Sequence, residues 1–311
     1  MRYYRVELAL ESPLSTPLHS GTLFGHLCWA WRERHGEPRL AAWLETLRHA
    51  PFLISDGFPS GWLPRPLLEP GPSGGPPADP AQRVQFLQEA KRRKQARWIR
   101  CSDFLRLRSA FDARELATAE ADPPKLEKVS SPHNRIDRRT GQTLEEGGLF
   151  YLEESWPERE ATLFDVYVGT ELDASQLREL FAHVGACGYG RDATWGRGRF
   201  RVLAVEQEDA LFAPVGTRRM SLSHGSLTAN MLDARYRTET HLGRLGNLFA
   251  RCDKPFKYPL LLLQPGATFR PADDGPFGAL LDDVHPSPPG GVRIYHNAWH
   301  LTVGYSEAST Q

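Results

Sequence analysis

Residues 185–200 of this 311-residue chain read GACGYGRDATWGRGRF, and no other stretch restricts the fold as much. Before it, Asp173 can cap a helix whose apolar residues Leu177, Leu180, Phe181 and Val184 fall at i, i+3, i+4 and i+7. After it, RFRVLAVEQ alternates as a half-buried strand does. Gly188-x-Gly190-x-x-Ala193 satisfies the dinucleotide-binding pattern, but that turn must leave a strand and open a helix, so that pyrophosphate meets the helix N-terminus. The order here is reversed, and no P-loop lysine with a following Ser/Thr is present, so no nucleotide cofactor is expected. Glycine accepts positive φ and lets backbone approach a ligand, and successive amides can form an anion-binding nest. Arg191, Arg197, Arg199 and Arg201 add forked cations that suit phosphate. Tyr189 and Trp195 offer rings on which bases stack. The stretch therefore points to nucleic acid.

The rest of the chain supplies a scaffold for such a loop. Tyr4, Val6, Leu8 and Leu10 alternate with polar residues and predict a first strand. Ser20 is a good N-cap for a helix with Leu23, Phe24, Leu27 and Trp31 on its apolar stripe, ended by Gly36 and Pro38. Residues 51–80, rich in Pro and Gly, predict an ordered loop and then a mobile one, followed by a polar helix over 81–98 through KRRK. Residues 117–146 read as irregular. Residues 148–153 and 161–168 predict two strands forming a hairpin around Pro157. With the helix and strand flanking the glycines, the order is strand, helix, strand, strand, helix, strand. That order predicts an α+β, ferredoxin-like (RRM-like) lobe over residues 1–210, with an inserted region at about 51–146. Strand-like pieces at 217–222, 234–240, 258–264 and 299–305 predict a second, less regular lobe of the same kind over 211–311.

Charge is balanced, with 38 Lys and Arg against 38 Asp and Glu, so net charge alone selects no polyanionic partner. The charge is nevertheless segregated: residues 91–108 are basic and residues 145–165 acidic. The acidic run should repel RNA and face solvent or a basic neighbour. The four cysteines lack zinc-type pairing, and no metal site is expected. Neither a signal-peptide apolar region nor a bilayer-length apolar run is present, which predicts a soluble cytoplasmic protein. Metal-independent RNA cleavage needs a general base beside the attacking hydroxyl. His19, just before the first helix, is read as a phosphate contact and His26 as a structural residue. His296 and His300 fall on a strand and are read as edge or interface residues. Lys254 and Lys257 flank Pro255-Phe256 in a rigid basic turn suited to RNA or to a partner.

The spacing Gly188-x-Gly190-x₅-Gly196-x-Gly198, between a helix and a last strand, resembles the glycine-rich motif of the RAMP proteins of CRISPR systems. Four further stretches resemble one RAMP branch, the subunit that caps the crRNA 5′ tag in type III-A (Csm) effectors, the fourth Csm subunit. They are PFLISDGFPSGWLPRP (51–66), KRRKQARWIRCSDF (91–104), VSSPHNRIDRRTGQTLEEGGLFYLEE (129–154) and KPFKYPLLLLQPGATF (254–269). The resemblance implies two ferredoxin-like lobes without enzymatic activity of their own. It also implies that the protein grips the guide RNA's 5′ tag, beside the large polymerase-bearing subunit and a backbone RAMP subunit, and meets target RNA only indirectly. Carried over, Gly188, Gly190, Gly196 and Gly198 with Arg191, Arg197 and Arg199 would contact the tag; from the residues themselves, Tyr189, Trp195, His19 and Ser20 are expected to bind RNA beside them. His133, Asn134, Arg135 and Arg138 would sit on a thumb-like insertion pressing on the RNA. Trp195 and Arg197 depart from the small or apolar residues of many relatives. Two other readings stand beside this one: a metal-independent RAMP endoribonuclease processing precursor crRNA, and a scaffold whose basic patches meet only protein.

Overall fold

The computed structural model describes residues 1–68, 79–112, 116, 122–123, 125–156 and 163–308. In chain order its first two thirds hold β1 (Arg2–Leu10), α1 (Ser20–His35), α2 (Glu37–Thr46), β2 (Leu53–Ile54), β3 (Phe58–Pro59) and β4 (Trp62–Pro64). There follow α3 (Pro80–Gln95), β5 (Trp98–Arg100), α4 (Cys101–Leu107), β6 (Glu127–Asn134), β7 (Leu149–Trp156), β8 (Leu163–Thr170), α5 (Ala174–Cys187) and β9 (Phe200–Gln207). The main sheet runs β2-β8-β1-β9, every pair antiparallel, with β3 also on β8. Its centre is β1, because the alternation of Tyr4, Val6 and Leu8 fits a strand paired on both sides.

The buried pattern of β8 explains the layering. Phe164, Val166 and Val168 enter a core with Leu23, Phe24 and Leu27 of α1 and Leu177, Phe181 and Val184 of α5. Tyr167 points to the opposite face, into a second core that gathers Phe58, Leu63, Ile99 and Phe104 with Met220, Leu222, Leu301 and Tyr305. The sheet is therefore covered by helices on one side. On the other it is covered by the inserted region together with the C-terminal part of the chain. A strand buried on both faces has no polar alternation to read, which accounts for the mostly apolar character of this segment, interrupted only by the buried Asp165 before its terminal Thr170.

The helix ends differ from expectation in an instructive way. At α1, His19 is the N-cap and makes no side-chain cap hydrogen bond. Ser20 is buried as the first helical residue, and its amide donates to Asp56 Oδ1 at 2.9 Å. A carboxylate from a distant loop thus does what a local cap would do. Gly36 ends α1 at φ 83°, and Pro38 opens α2 rather than closing α1. At α5, Asp173 and Gln176 form the reciprocal capping box.

The expected hairpin of residues 148–153 with 161–168 does not form. β7 pairs instead with β6, from His133↔Phe150 to Glu127↔Trp156, and β8 joins the main sheet. The short β2 takes the place next to β8 that the sequence pattern suggests for 148–153. Residues 127–134 form a strand where irregular chain is expected, because EKVSSPHN has too little apolar content to announce one. Pro157, the expected turn, and residues 69–78, most of the expected mobile loop, lie outside the described residues.

Beyond α6 (Asp209–Phe212) come β10 (Arg218–Ser221), β11 (Met231–Arg235), β12 (Thr238–His241), β13 (Leu260–Leu263), β14 (Thr268–Pro271), β15 (Gly278–Leu281), β16 (His296–Trp299) and β17 (Thr302–Tyr305). Four of these form an antiparallel sheet, β11-β14-β10-β17, and β12-β13 and β15-β16 are separate hairpins. Among the described residues after Phe212, only short 3₁₀ turns join the strands. The whole is a mixed α/β molecule of several small antiparallel sheets.

Candidate nucleic-acid interface

The glycine loop is built by its own amides. Gly188, Gly190, Gly196 and Gly198 all have φ between 68° and 91°, the region that side chains with a Cβ rarely adopt. Gly188 N–H donates to Val184 O, Tyr189 N–H to Gly198 O, Gly190 N–H to His26 Nε2 and Arg191 N–H to Thr16 Oγ1. The amides of Trp195, Gly196 and Arg197 close a turn over Asp192 and Ala193, Gly198 N–H reaches Pro13 O, and Arg199 N–H reaches Ser12 Oγ. The amides of residues 188–191 and 195–199 are thus used inside the protein. The glycines shape the loop.

His26 holds the loop from below. Its ring lies 5.1 Å from that of Tyr189, and burial pushes its pKa down to about 4, so it stays neutral and accepts the Gly190 amide. Tyr189 is fully buried; its hydroxyl donates to Pro17 O and accepts the His19 amide at 3.0 Å. Tyr189 is therefore a strut and not a stacking platform.

The loop also meets the β6–β7 hairpin. Trp195, 54% exposed, lies 5.6 Å from His133, whose ring stacks on Phe150 at 5.7 Å. Arg197 Nε is 2.5 Å from Glu154 Oε1, a carboxylate with no exposed side-chain surface. Ser131 Oγ and Trp156 Nε1 also donate to Glu154, each at 3.2 Å. One acidic residue of the run 145–165 is thus the internal partner of an arginine that the sequence pattern offers to RNA. On the hairpin and the glycine loop, Arg135, Arg138, Arg191 and Arg199 are exposed. Arg135 sits 5.9 Å over the Phe150 ring, and the exposed Arg191 forms an ion pair with the largely buried Asp192 at 3.1 Å. Asn134 is exposed beside Thr143.

The two lysines of the C-terminal basic turn part company. Lys254 is exposed, whereas Lys257 turns its ammonium onto Tyr295 O at 2.7 Å, and burial lowers its pKa to about 8. In the KRRK segment Lys91 is exposed; the side chains of residues 92–95 lie outside those described.

His19 faces inward, toward a cluster the sequence gives no sign of. Its Nδ1 lies 3.1 Å from His224 Nδ1 and 3.6 Å from Asp56 Oδ2, and its Nε2 lies 4.0 Å from Glu239 Oε1. His224 Nδ1 is 2.7 Å from Asp56 Oδ2, and its Nε2 is 3.5 Å from Glu239 Oε2. Burial raises the Asp56 pKa, but the nearby His224 and its hydrogen bond outweigh this and hold the carboxyl below its usual value. His241, on β12 two residues from Glu239, is pushed down to about 4 by burial and by neighbouring positive groups. His296 lies 5.1 Å from His241, and both His296 and His300 are buried, so of the edge or interface positions expected for them it is an internal interface that they occupy, with His300 just past the end of β16. They sit where two sheets close on α1, with Gly21 and Gly225 making room for their rings. Pairwise sequence spacing could not reveal this cluster, because its members come from four separated segments.

A model of the RAMP superfamily matches residues 13–201, and the chain belongs to that superfamily. The fold is similar to a chain of the Csm1–Csm4 cassette solved in complex with pppApA: 19% identity over the whole of both chains, with a TM-score of 0.62. It is also similar to a chain of the Csm3–Csm4 subcomplex of the type III-A CRISPR-Cas interference complex, at 12% identity over 98% of this chain and 99% of that one, with a TM-score of 0.57. No curated protein matches the sequence. Among the described residues no helix is long and apolar enough to cross a membrane.

Proposed function

We propose that this RAMP protein is the non-catalytic subunit that holds the 5′ tag of the guide RNA in a type III-A interference complex. It would bridge the large polymerase-bearing subunit to a backbone RAMP subunit, in the cytoplasm, and meet target RNA indirectly. The observation that carries this reading is the junction of the glycine loop with the β6–β7 hairpin. There the exposed Trp195 meets His133, whose ring stacks on Phe150 beneath the exposed Arg135, and Arg138, Arg191 and Arg199 are exposed on the same two segments, so that a ring for a splayed base comes with cations for phosphate. The full-length likeness to chains of the Csm1–Csm4 and Csm3–Csm4 assemblies supports the same reading. We read the β2-β8-β1-β9 sheet with α1 and α5 as the ferredoxin-like lobe, residues 1–210, and residues 211–311 as a reduced counterpart. Contact with RNA is by exposed side chains. His19 and Tyr189 support the glycine loop from inside, with the buried Ser20 beside them at the start of α1, and the exposed Lys254 is a further cation for RNA while Lys257 is turned inward.

The test is fluorescence anisotropy of the purified chain with guide RNAs that carry or lack the 5′ tag, product length being followed on the same samples. Tighter binding of the tagged RNA, with the RNA left intact, is the expected result. Cleavage that disappears in His19→Ala would establish the endoribonuclease instead. Equal binding of both RNAs would remove the tag from the proposal.

A further inference from the structure

Three side chains distant in sequence converge beside the N-terminus of α1: His19 before the helix, His224 after β10 and Glu239 on β12. One ligand atom from each lies within 4.8 Å of the other two. His19 Nε2 and His224 Nε2 face the Glu239 carboxylate at 4.0 and 3.5 Å. In a tetrahedral site with bonds of about 2.0–2.1 Å, ligand atoms stand roughly 3.4 Å apart. The Glu239 side chain is 41% exposed and can take up the difference by rotating.

Behind the two imidazoles lies Asp56, which reaches His224 Nδ1 at 2.7 Å and His19 Nδ1 at 3.6 Å. An ionised carboxylate only accepts hydrogen bonds. It therefore draws the His224 proton to Nδ1 and leaves the His224 Nε2 lone pair toward Glu239, the tautomer a metal ligand needs, while His19 Nδ1 packs 3.1 Å from His224 Nδ1. His224 Nε2 is buried without a hydrogen-bond partner, on a side chain only 9% exposed. A buried ring nitrogen in that position calls for an occupant. The chemistry of the occupant follows from the donors. An anion would meet the Glu239 carboxylate, so the site suits a cation. Two imidazoles and one carboxylate suit zinc-class ions, whereas calcium and magnesium require oxygen donors.

We propose that His19 Nε2, His224 Nε2 and the Glu239 carboxylate bind one Zn2+, with Asp56 as the residue that orients the His224 ring and a non-protein ligand in the fourth position. Gln264 Nε2, 3.3 Å from Glu239 Oε2, steadies the carboxylate. The ion ties β12 to the start of α1. That start supports the glycine loop through the His19 amide and Tyr189.

The experiment uses the full chain stripped with a chelator, with Zn2+ titrated against a chromophoric competitor and Co2+ substitution read as a tetrahedral visible spectrum. Uptake of one ion per chain is expected, with a higher melting temperature in its presence. Glu239→Gln and His224→Gln should each weaken binding by about tenfold or more, and Asp56→Asn by roughly tenfold to a hundredfold. Glu239 is partly exposed, so its variant should fold, and circular dichroism of the metal-free protein checks this. His183→Gln addresses the other group with suitable donors, Glu33, His183 and Cys187, and should leave binding unchanged. Absence of stoichiometric uptake overturns the proposal. So does uptake that survives both Glu239→Gln and His224→Gln, or uptake abolished by His183→Gln.

Discussion

At the scale of single residues, the four loop glycines share a backbone conformation but not an environment. A Cβ added at Gly196 meets open space, while at Gly198 it falls 2.1 Å from Tyr189 O. Gly196→Ala should therefore cost only the left-handed strain, roughly 1–2 kcal/mol. Gly198→Ala adds a backbone clash that must be relieved by movement, worth about 1–3 kcal/mol more. Denaturant melts of the two variants should rank them in that order; equal losses would show that the loop relaxes freely around Tyr189. His26 makes a second residue-level prediction. Its folded pKa of about 4 lies below the unfolded value near 6.5. Between those values the unfolded chain binds a proton that the folded one refuses, so stability falls as pH drops from about 6.5 toward 4 and is unaffected above that window. Other buried histidines add the same trend. The informative measurement is thus the difference between wild type and His26→Gln, whose amide can still accept the Gly190 N–H but does not titrate. The variant should lose less stability on acidification.

Among the elements, the hairpin β6–β7 shows where legibility ended. The helix α5, its caps, the first strand and the glycine loop's position between helix and strand are all readable, because apolar periodicity and turn residues are local signals. Strand pairing is not local. Segments 149–156 and 163–170 both have strand character, and choosing the partner of each needs the polar strand 127–134, which lacks an apolar pattern. The same limit hid the ion pair of Arg197 with Glu154, which joins residues 43 positions apart. That pair predicts an asymmetry. Arg197→Met strands a carboxylate with no exposed side-chain surface, whereas Glu154→Gln strands a guanidinium that is 22% exposed. The first should cost on the order of 3 kcal/mol and the second less, and the double variant should recover most of the loss. Urea unfolding of the three proteins checks this. A strictly additive double variant would mean that the hairpin and loop do not stabilise each other.

For the whole molecule, the balanced total of 38 basic and 38 acidic residues conceals a surface on which many arginines are already committed. Arg197 is neutralised by the buried Glu154, the half-exposed Arg191 pairs with a largely buried Asp192, and Arg201 has only an exposed pair with Glu11 at 2.5 Å. Exposed pairs of that kind contribute little to stability and exchange readily for another anion. Affinity for a single-stranded RNA should then depend on the outward cations rather than on the arginine count. Removing one cation from a phosphate should reduce the slope of log K against log salt by about 0.7. Arg135→Ala, Arg191→Ala and Arg199→Ala combined should lower that slope by about 2, with the fold intact. Arg197→Ala should weaken binding through the hairpin's displacement yet leave the slope nearly unchanged. Anisotropy titrations at several salt concentrations separate the two behaviours. A slope that drops equally in Arg197→Ala would mean that its guanidinium leaves Glu154 for phosphate when RNA arrives.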